Sequence, residues 1–157
     1  MYVKDLMTPM PATCAPTTTL RLAAQLMADH DCSAIPVTWS GTLIGIITDR
    51  DITCRAVAVV SDAASRPVAE FMSAPVITVG SEETFERAAE LMEENHIHHL
   101  PVIGSDGKLL GIVAESDLGR RMSNRELGRL ARGVTIRRTG PAYSQVDALM
   151  RYPGKDV

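Results

Sequence analysis

The sequence predicts an α+β fold of two tandem β-α-β-β-α repeats followed by an arginine-rich C-terminal tail, and three observations carry that prediction. The first is internal repetition. Asp5-Leu6-Met7 aligns with Glu70-Phe71-Met72, Ala23-Ala24-Gln25-Leu26-Met27 with Ala88-Ala89-Glu90-Leu91-Met92, and Ile35-Pro36-Val37 with Leu100-Pro101-Val102, all at an offset of 65 residues. The second is that each unit holds one stretch of helical apolar period and two short β-branched runs. The third is a pair of related stretches, Gly45-Ile46-Ile47-Thr48-Asp49-Arg50-Asp51 and Gly111-Ile112-Val113-Ala114-Glu115-Ser116-Asp117, now offset by 66 residues. The glycine-containing hairpin between the matched strands explains the change, since Thr38 to Thr42 faces Ile103 to Lys108, one residue longer. The repeats are therefore assigned to 1–65 and 66–122, and the basic tail to 123–157.

Each unit opens on a leading segment, Met7-Thr8-Pro9 or Met72-Ser73-Ala74-Pro75, in which proline stops a helix from forming. A short extended piece follows, Ala12 to Ala15 or Val76 to Val79. The first helices are expected to start near Thr19 and Glu82. Leu20, Ala23, Ala24 and Met27 recur on one helical face, as do Phe85, Ala88, Ala89 and Met92, and Ser81 and Thr84 offer capping hydroxyls. Strands are expected over Ala34 to Thr38 and Leu100 to Ile103, then over Leu43 to Thr48 and Leu109 to Ala114, before a closing helix.

Composition excludes unusual classes. Hydrophobic content of 45% and charged content of 22% suit a globular chain, and no apolar run approaches a membrane span. No signal peptide is expected behind Lys4 and Asp5. Cys14, Cys32 and Cys54 are odd in number and far apart, which suits reduced thiols and a cytoplasmic location. The net charge of -3 hides an asymmetry: from Gly119 onward nine Lys/Arg face three carboxylates, a surplus of six, leaving a deficit of nine before it.

Thr48 and Asp51 stand one helical turn apart where a buried strand runs into a helix, so a hydroxyl and a carboxylate share one face. Such a pair can hold the diol of a ribose, with an open helix N-terminus favouring phosphate beside it. The plain alternative is a capping pair that serves only the backbone. His96, His98 and His99 invite a metal reading, but His98 and His99 point to opposite faces of an extended segment and no matching Cys or acidic pattern surrounds them, so no metal site is expected. No nucleophile elbow, phosphate-cradling Gly-x-x-x-x-Gly-Lys or pair of catalytic carboxylates is present, so no enzymatic activity is expected.

Taken together, the Met-Thr-Pro and Met-Ser-x-Pro lead-ins, the Ala-Ala-x-Leu-Met helices, the Ile/Leu-Pro-Val strands and the Gly-Ile-Ile/Val-x-x-x-Asp stretches resemble the CBS domain, and the pair resembles a Bateman module. The resemblance covers about residues 1–122. It implies two repeats packed with pseudo-twofold symmetry and a regulatory ligand of the adenosyl class. AMP or ADP is favoured over ATP because cations are few, and S-adenosylmethionine is a further candidate. It further implies that Thr48 and Asp51 hold the ribose, that Ile46 lines the pocket, that His30 and Arg50 supply cations near the phosphate, and that Ile77 and Ile97 to His99 pack the adenine. One pocket would then draw on both halves. The second site keeps Ile112 and Asp117 but has Ala114 in place of the hydroxyl. The resemblance also implies a homodimer, with output through a separate effector protein and no further cofactor required.

In the tail, Leu118, Met122, Leu127, Leu130 and Ala131 among Arg120, Arg121, Arg125, Arg129 and Arg132 predict a continuing helix that Gly133 ends. Beyond it, Gly140-Pro141 and Pro153-Gly154 predict an extended or disordered segment. The arginines are expected to pack on the acidic body or dock a partner protein in preference to nucleic acid, because no nucleic-acid motif accompanies them. The competing reading is a dimeric scaffold with degenerate pockets whose tail engages a protein or nucleic acid.

Overall fold

A hairpin within each repeat and a short strand pairing between the repeats organise the chain. The computed structural model describes residues 1–120 and 123–135. Its elements are β1 (Thr8–Pro9), α1 (Leu20–Asp29), β2 (Ala34–Trp39), β3 (Thr42–Thr48), a π-helix (Asp51–Val57), β4 (Val79–Gly80), α2 (Phe85–Asn95), β5 (His99–Ile103), β6 (Leu109–Ala114), α3 (Glu115–Gly119) and α4 (Asn124–Thr135). The expected helices and hairpins are present with ends within three residues, whereas Ala12 to Ala15 holds only an isolated bridge from Cys14 to Val37 and Val76 to Val79 is a strand only from Val79. Thr19 and Thr84 are the caps: each hydroxyl accepts a backbone N–H at 3.3 Å, from Leu22 and from Arg87. The apolar stripes then face inward, burying Leu20, Ala23 and Met27 on α1 and Ala88, Ala89 and Met92 on α2.

β2 and β3 form an antiparallel hairpin closed by Ser40 and Gly41, both at positive φ (49° and 79°), as a two-residue turn matching the strand twist requires. β5 and β6 repeat this hairpin inside a four-stranded sheet of order β1-β6-β5-β4. The order reveals a crossover. β1, from the first lead-in, pairs with β6 of the second repeat, Thr8 opposite Ile112 and Pro9 opposite Gly111. In return Ser73, from the second lead-in, bridges to Ile46 on β3; Ile46 N–H donates to Ser73 O at 3.1 Å and Ser73 N–H to Ile46 O at 2.8 Å. The two cores are exchanged accordingly. Val3 is buried with Val79, Met92, Leu100 and Val113, whereas Val68 and Phe71 are buried with Leu20, Ile35 and Ile47. The packing unit is thus displaced from the sequence repeat by one leading segment.

Two glycines make this exchange possible. Met72 lies across Gly45 so closely that a Cβ there would meet its sulfur, and at Gly111 a Cβ would stand 2.5 Å from Met7 Sδ and 2.9 Å from the Thr8 carbonyl. The glycine of each Gly-Ile-Ile/Val stretch is therefore a docking surface for the other repeat's methionine.

The C-terminal part departs from expectation. The helix does not continue from Leu118 to Ala131: α3 stops at Gly119 and α4 starts anew at Asn124. Gly133 does not end α4 either, since the helix runs to Thr135. A Cβ at Gly133 would collide with the Glu93 side chain on α2, so the glycine serves close helix approach. Leu118, Leu130 and Val134 are buried in the second core, and Arg129 Nε pairs with Glu93 at 3.4 Å. Part of the arginine-bearing segment therefore packs on the acidic body. Arg121, Met122, the Leu127 side chain and the segment 136–157 with Gly140-Pro141 and Pro153-Gly154 lie outside the described residues.

Alanine at Gly111 should cost more stability than alanine at Gly45, because only the former meets a backbone carbonyl besides a flexible sulfur. Urea unfolding of Gly111→Ala should show a loss of about 1–3 kcal/mol, the usual cost of overpacking, at an unchanged m value. An equal or smaller loss than in Gly45→Ala would contradict the crossover packing.

Candidate functional site

Two clefts, each of about 620 Å³, open between the repeats. Volumes of this size suit small-molecule ligands. The first draws Ile46, Thr48, Arg50 and Asp51 from the first repeat and Ile77, Ile97, His98 and His99 from the second, so one pocket does use both halves. Crossover pairing explains why. By holding Ser73 on β3, it brings the chain from Pro75 to Ile77 over the end of the Thr48 strand.

In this first cleft Thr48 and Asp51 form a closed capping pair. Asp51 Oδ2 accepts from the Thr48 N–H at 3.0 Å and from its hydroxyl at 2.8 Å, while the Asp51 N–H donates to Thr48 Oγ1 at 3.2 Å. Arg55, four residues on, donates to Asp51 Oδ1 at 3.1 Å. Three of the carboxylate's roughly four lone-pair sites are thus engaged, leaving one on Oδ1 for a ligand hydroxyl. The capping role is therefore real, and it coexists with a place on the cleft wall. Arg55 was missed by motif reading, although its i,i+4 spacing from Asp51 was legible. The π-helix carrying both residues has no counterpart in α3, and such helices are frequent at functional sites.

The second cleft is lined by Ile112, Asp117, His30, Asp31 and Arg120. Ala114 N–H donates to Asp117 Oδ2 at 2.9 Å, reproducing the backbone half of the cap without a hydroxyl. His30 belongs here, so the sequence reading that put it with Arg50 beside Thr48 and Asp51 is corrected. α1 ends against the opposite repeat's motif, and the two candidate cations are divided between the clefts.

Ser33, His99, Ala114 and Ser116 line both clefts and form a shared wall. Ser33 Oγ and His99 Nε2 lie 3.1 Å apart, one residue from each repeat. Burial, with the neighbouring His98 adding to it, lowers the His99 pKa below its ordinary 6.5, so its ring is neutral at pH 7. His98 points elsewhere, with Nδ1 2.7 Å from Glu115 Oε2. Both rings line the first cleft, and His98 precedes β5, so the strand alternation expected for this pair does not apply. Burial also pushes the Cys14 thiol up to about 11 and raises that of Cys32; all three cysteines are unpaired with one another. Among the described residues no group of three or more His, Cys, Asp or Glu side chains is arranged to hold a metal ion, and no helix is long and apolar enough to cross a membrane.

The model of the CBS domain matches residues 3–62 and 68–124. The chain belongs to the CBS-domain family. It is 41% identical over 127 residues to the CBS domain-containing protein YhcV of Bacillus subtilis, covering 80% of this chain and 89% of that one. A tandem CBS module also explains a match to inosine-5'-monophosphate dehydrogenase of Aquifex aeolicus, 31% identical over 154 residues, because 94% of this chain aligns there with only 30% of the enzyme. Among solved structures, the CBS pair of MJ0100 in complex with 5'-methylthioadenosine and S-adenosyl-L-methionine superposes with a TM-score of 0.70 at 28% identity, over 77% of this chain and 94% of that one. CBSX2 in complex with AMP gives 0.65 at 28% identity, over 76% and 94%. Hypoxic Response Protein I, whose crystal structure holds two coordinated zinc ions, gives 0.70 at 29% identity, over 78% and 100%.

The lowered His99 pKa sets the sign of one pH effect. Below pH 6.5 the unfolded chain takes up a proton that the folded ring refuses, so this contribution to stability falls as pH drops through 6.5 and levels off below the folded value. Chemical denaturation between pH 8 and pH 5 should show this loss in the wild type and a flatter profile in His99→Gln; identical profiles would remove His99 as its source.

Proposed function

We propose that the chain is a regulatory module that binds an adenosyl nucleotide in the Thr48–Asp51 cleft and passes the occupied state to a separate effector protein. The observation that supports it most is the placement of Asp51, only 9% exposed, on the wall of a cleft whose opposite side carries Ile77 and Ile97. A carboxylate there can accept from a ribose hydroxyl while the apolar side chains cover the base. The complexes of CBSX2 with AMP and of the MJ0100 pair with two adenosyl compounds agree with that ligand class.

Charge favours AMP or ADP over ATP. Arg50 is accompanied in the cleft by Asp49 and Glu115, so added phosphates meet carboxylates as well as one guanidinium. S-adenosylmethionine remains in the ligand set to be tested. The Thr48–Asp51 site is the tighter of two, because Ala114 lacks the hydroxyl present at Thr48. One such hydrogen bond is worth about 1 kcal/mol, or roughly fivefold in affinity. The module acts as a cytoplasmic homodimer, a reading supported by the exposure of Leu22 on α1 and of Val57 and Val59 at the end of the π-helix.

The scaffold reading draws on a specific observation too: Asp51 is already bonded to Thr48 and Arg55. Calorimetric titration separates the two. AMP or ADP should bind with micromolar affinity, Asp51→Ala should abolish the tighter event, and Asp117→Ala should affect only the weaker. A larger loss from Asp117→Ala reverses the ranking of sites, and no heat with AMP, ADP, ATP or S-adenosylmethionine favours the scaffold. Light scattering should give twice the monomer mass at micromolar concentration; a monomer would sink the homodimer.

A further inference from the structure

His96 is the residue at which α2 ends. It follows α2 with a left-handed backbone, φ 55° and ψ 44°, which glycine or asparagine adopts at lower cost. Its side chain has two neighbours of different kinds. It lines the Thr48–Asp51 cleft, and its Nδ1 lies 2.7 Å from the carbonyl of Gly133 in the last turn of α4. A carbonyl can only accept, so Nδ1 carries the proton and Nε2 is the ring atom left for a ligand in the cleft. Asp31, the repeat-related residue, has the same left-handed backbone (φ 49°) and lines the other cleft. The backbone turn thus belongs to the repeat, while the imidazole is particular to the side that carries α4.

α4 is joined to the body through few elements. Leu130 and Val134 enter the second core, Gly133 lets the helix approach Glu93, and Arg129 pairs with that same glutamate. Glu93 and His96 both sit at the C-terminal end of α2, beside the cleft. This end of α2 is where the wall of the cleft and the seat of α4 coincide.

We propose that α4 is the output element of the module, its docking linked through His96 to occupancy of the Thr48–Asp51 cleft. The proposal rests on the nucleotide-binding reading above. One imidazole serves both events. A ligand contact at Nε2 holds the ring in the orientation in which Nδ1 meets Gly133, and docked α4 holds the ring ready for the ligand. Each event thereby covers the ordering cost of the other, so the linkage is positive and reciprocal.

The test is amide hydrogen exchange of the full chain with and without AMP, in wild type and in His96→Gly. Glycine suits the left-handed backbone, so the variant removes the ring without straining the turn. AMP should slow exchange across Asn124–Thr135 in wild type by roughly three- to tenfold, the worth of one ordered side chain, and leave these amides unchanged in His96→Gly. Reciprocally, Gly133→Ala, which forces α4 away from Glu93, should weaken AMP binding in wild type but not in the His96→Gly background. If AMP binds wild type calorimetrically yet α4 exchange is unmoved, or is slowed equally in His96→Gly, the linkage is overturned while the binding reading stands. Silent titrations of folded wild type with AMP, ADP, ATP and S-adenosylmethionine overturn both, and if only another of these binds, it replaces AMP in the exchange experiment with the same expected outcomes.

Discussion

The reciprocal seating of each leading segment on the other repeat's last strand is the constraint from which the remaining structure follows. Met7 with Thr8 lies on Gly111 and Ile112, and Met72 with Ser73 lies on Gly45 and Ile46. Neither repeat completes its core alone: Val3 is buried in one, Val68 and Phe71 in the other. A hydrophobic segment that belongs to one half in sequence and to the other in space makes the pair a single cooperative object. It also gives the two clefts their shape, because the chain leaving each crossover passes over the end of the strand carrying the motif.

From this geometry comes a division of labour between the clefts. Both keep the aspartate that caps a helix start, with its Oδ2 on a backbone N–H. Among the described residues the first adds a hydroxyl and a bonded guanidinium, so Asp51 there is buried and oriented. Under the proposed function this orientation is preorganisation: the carboxylate would not have to be ordered on binding. The wall shared by the clefts includes Ser33 of the first repeat and His99 of the second, whose buried ring is neutral at pH 7.

α4 changes the reading of the basic C-terminal region. Part of it is core, through Leu130 and Val134, and its Arg129 pairs with Glu93 on α2. What distinguishes this CBS pair from a bare module is therefore a helix that packs on the outside of α2 and touches, through His96, the inside of a cleft.

Local pattern determined much of this protein. The 65-residue offset, the capping threonines, the Ile/Leu-Pro-Val strands and the hairpin glycine specified the elements and their order, because helical period, cap and turn chemistry act over a few residues. The motif pair Thr48 and Asp51 was legible for the same reason, as was its weakened copy at Ala114 and Asp117. Tertiary structure alone decided which lead-in joins which repeat, which cleft receives His30, that Gly133 is a contact and not a stop, and that His96 faces both a cleft and a helix. These depend on contacts between residues tens of positions apart. A repeat makes such contacts ambiguous from sequence, since each segment has two equivalent surfaces to choose from. In the folded chain Met7 lies on Gly111 and Met72 on Gly45, each methionine on the glycine of the other half.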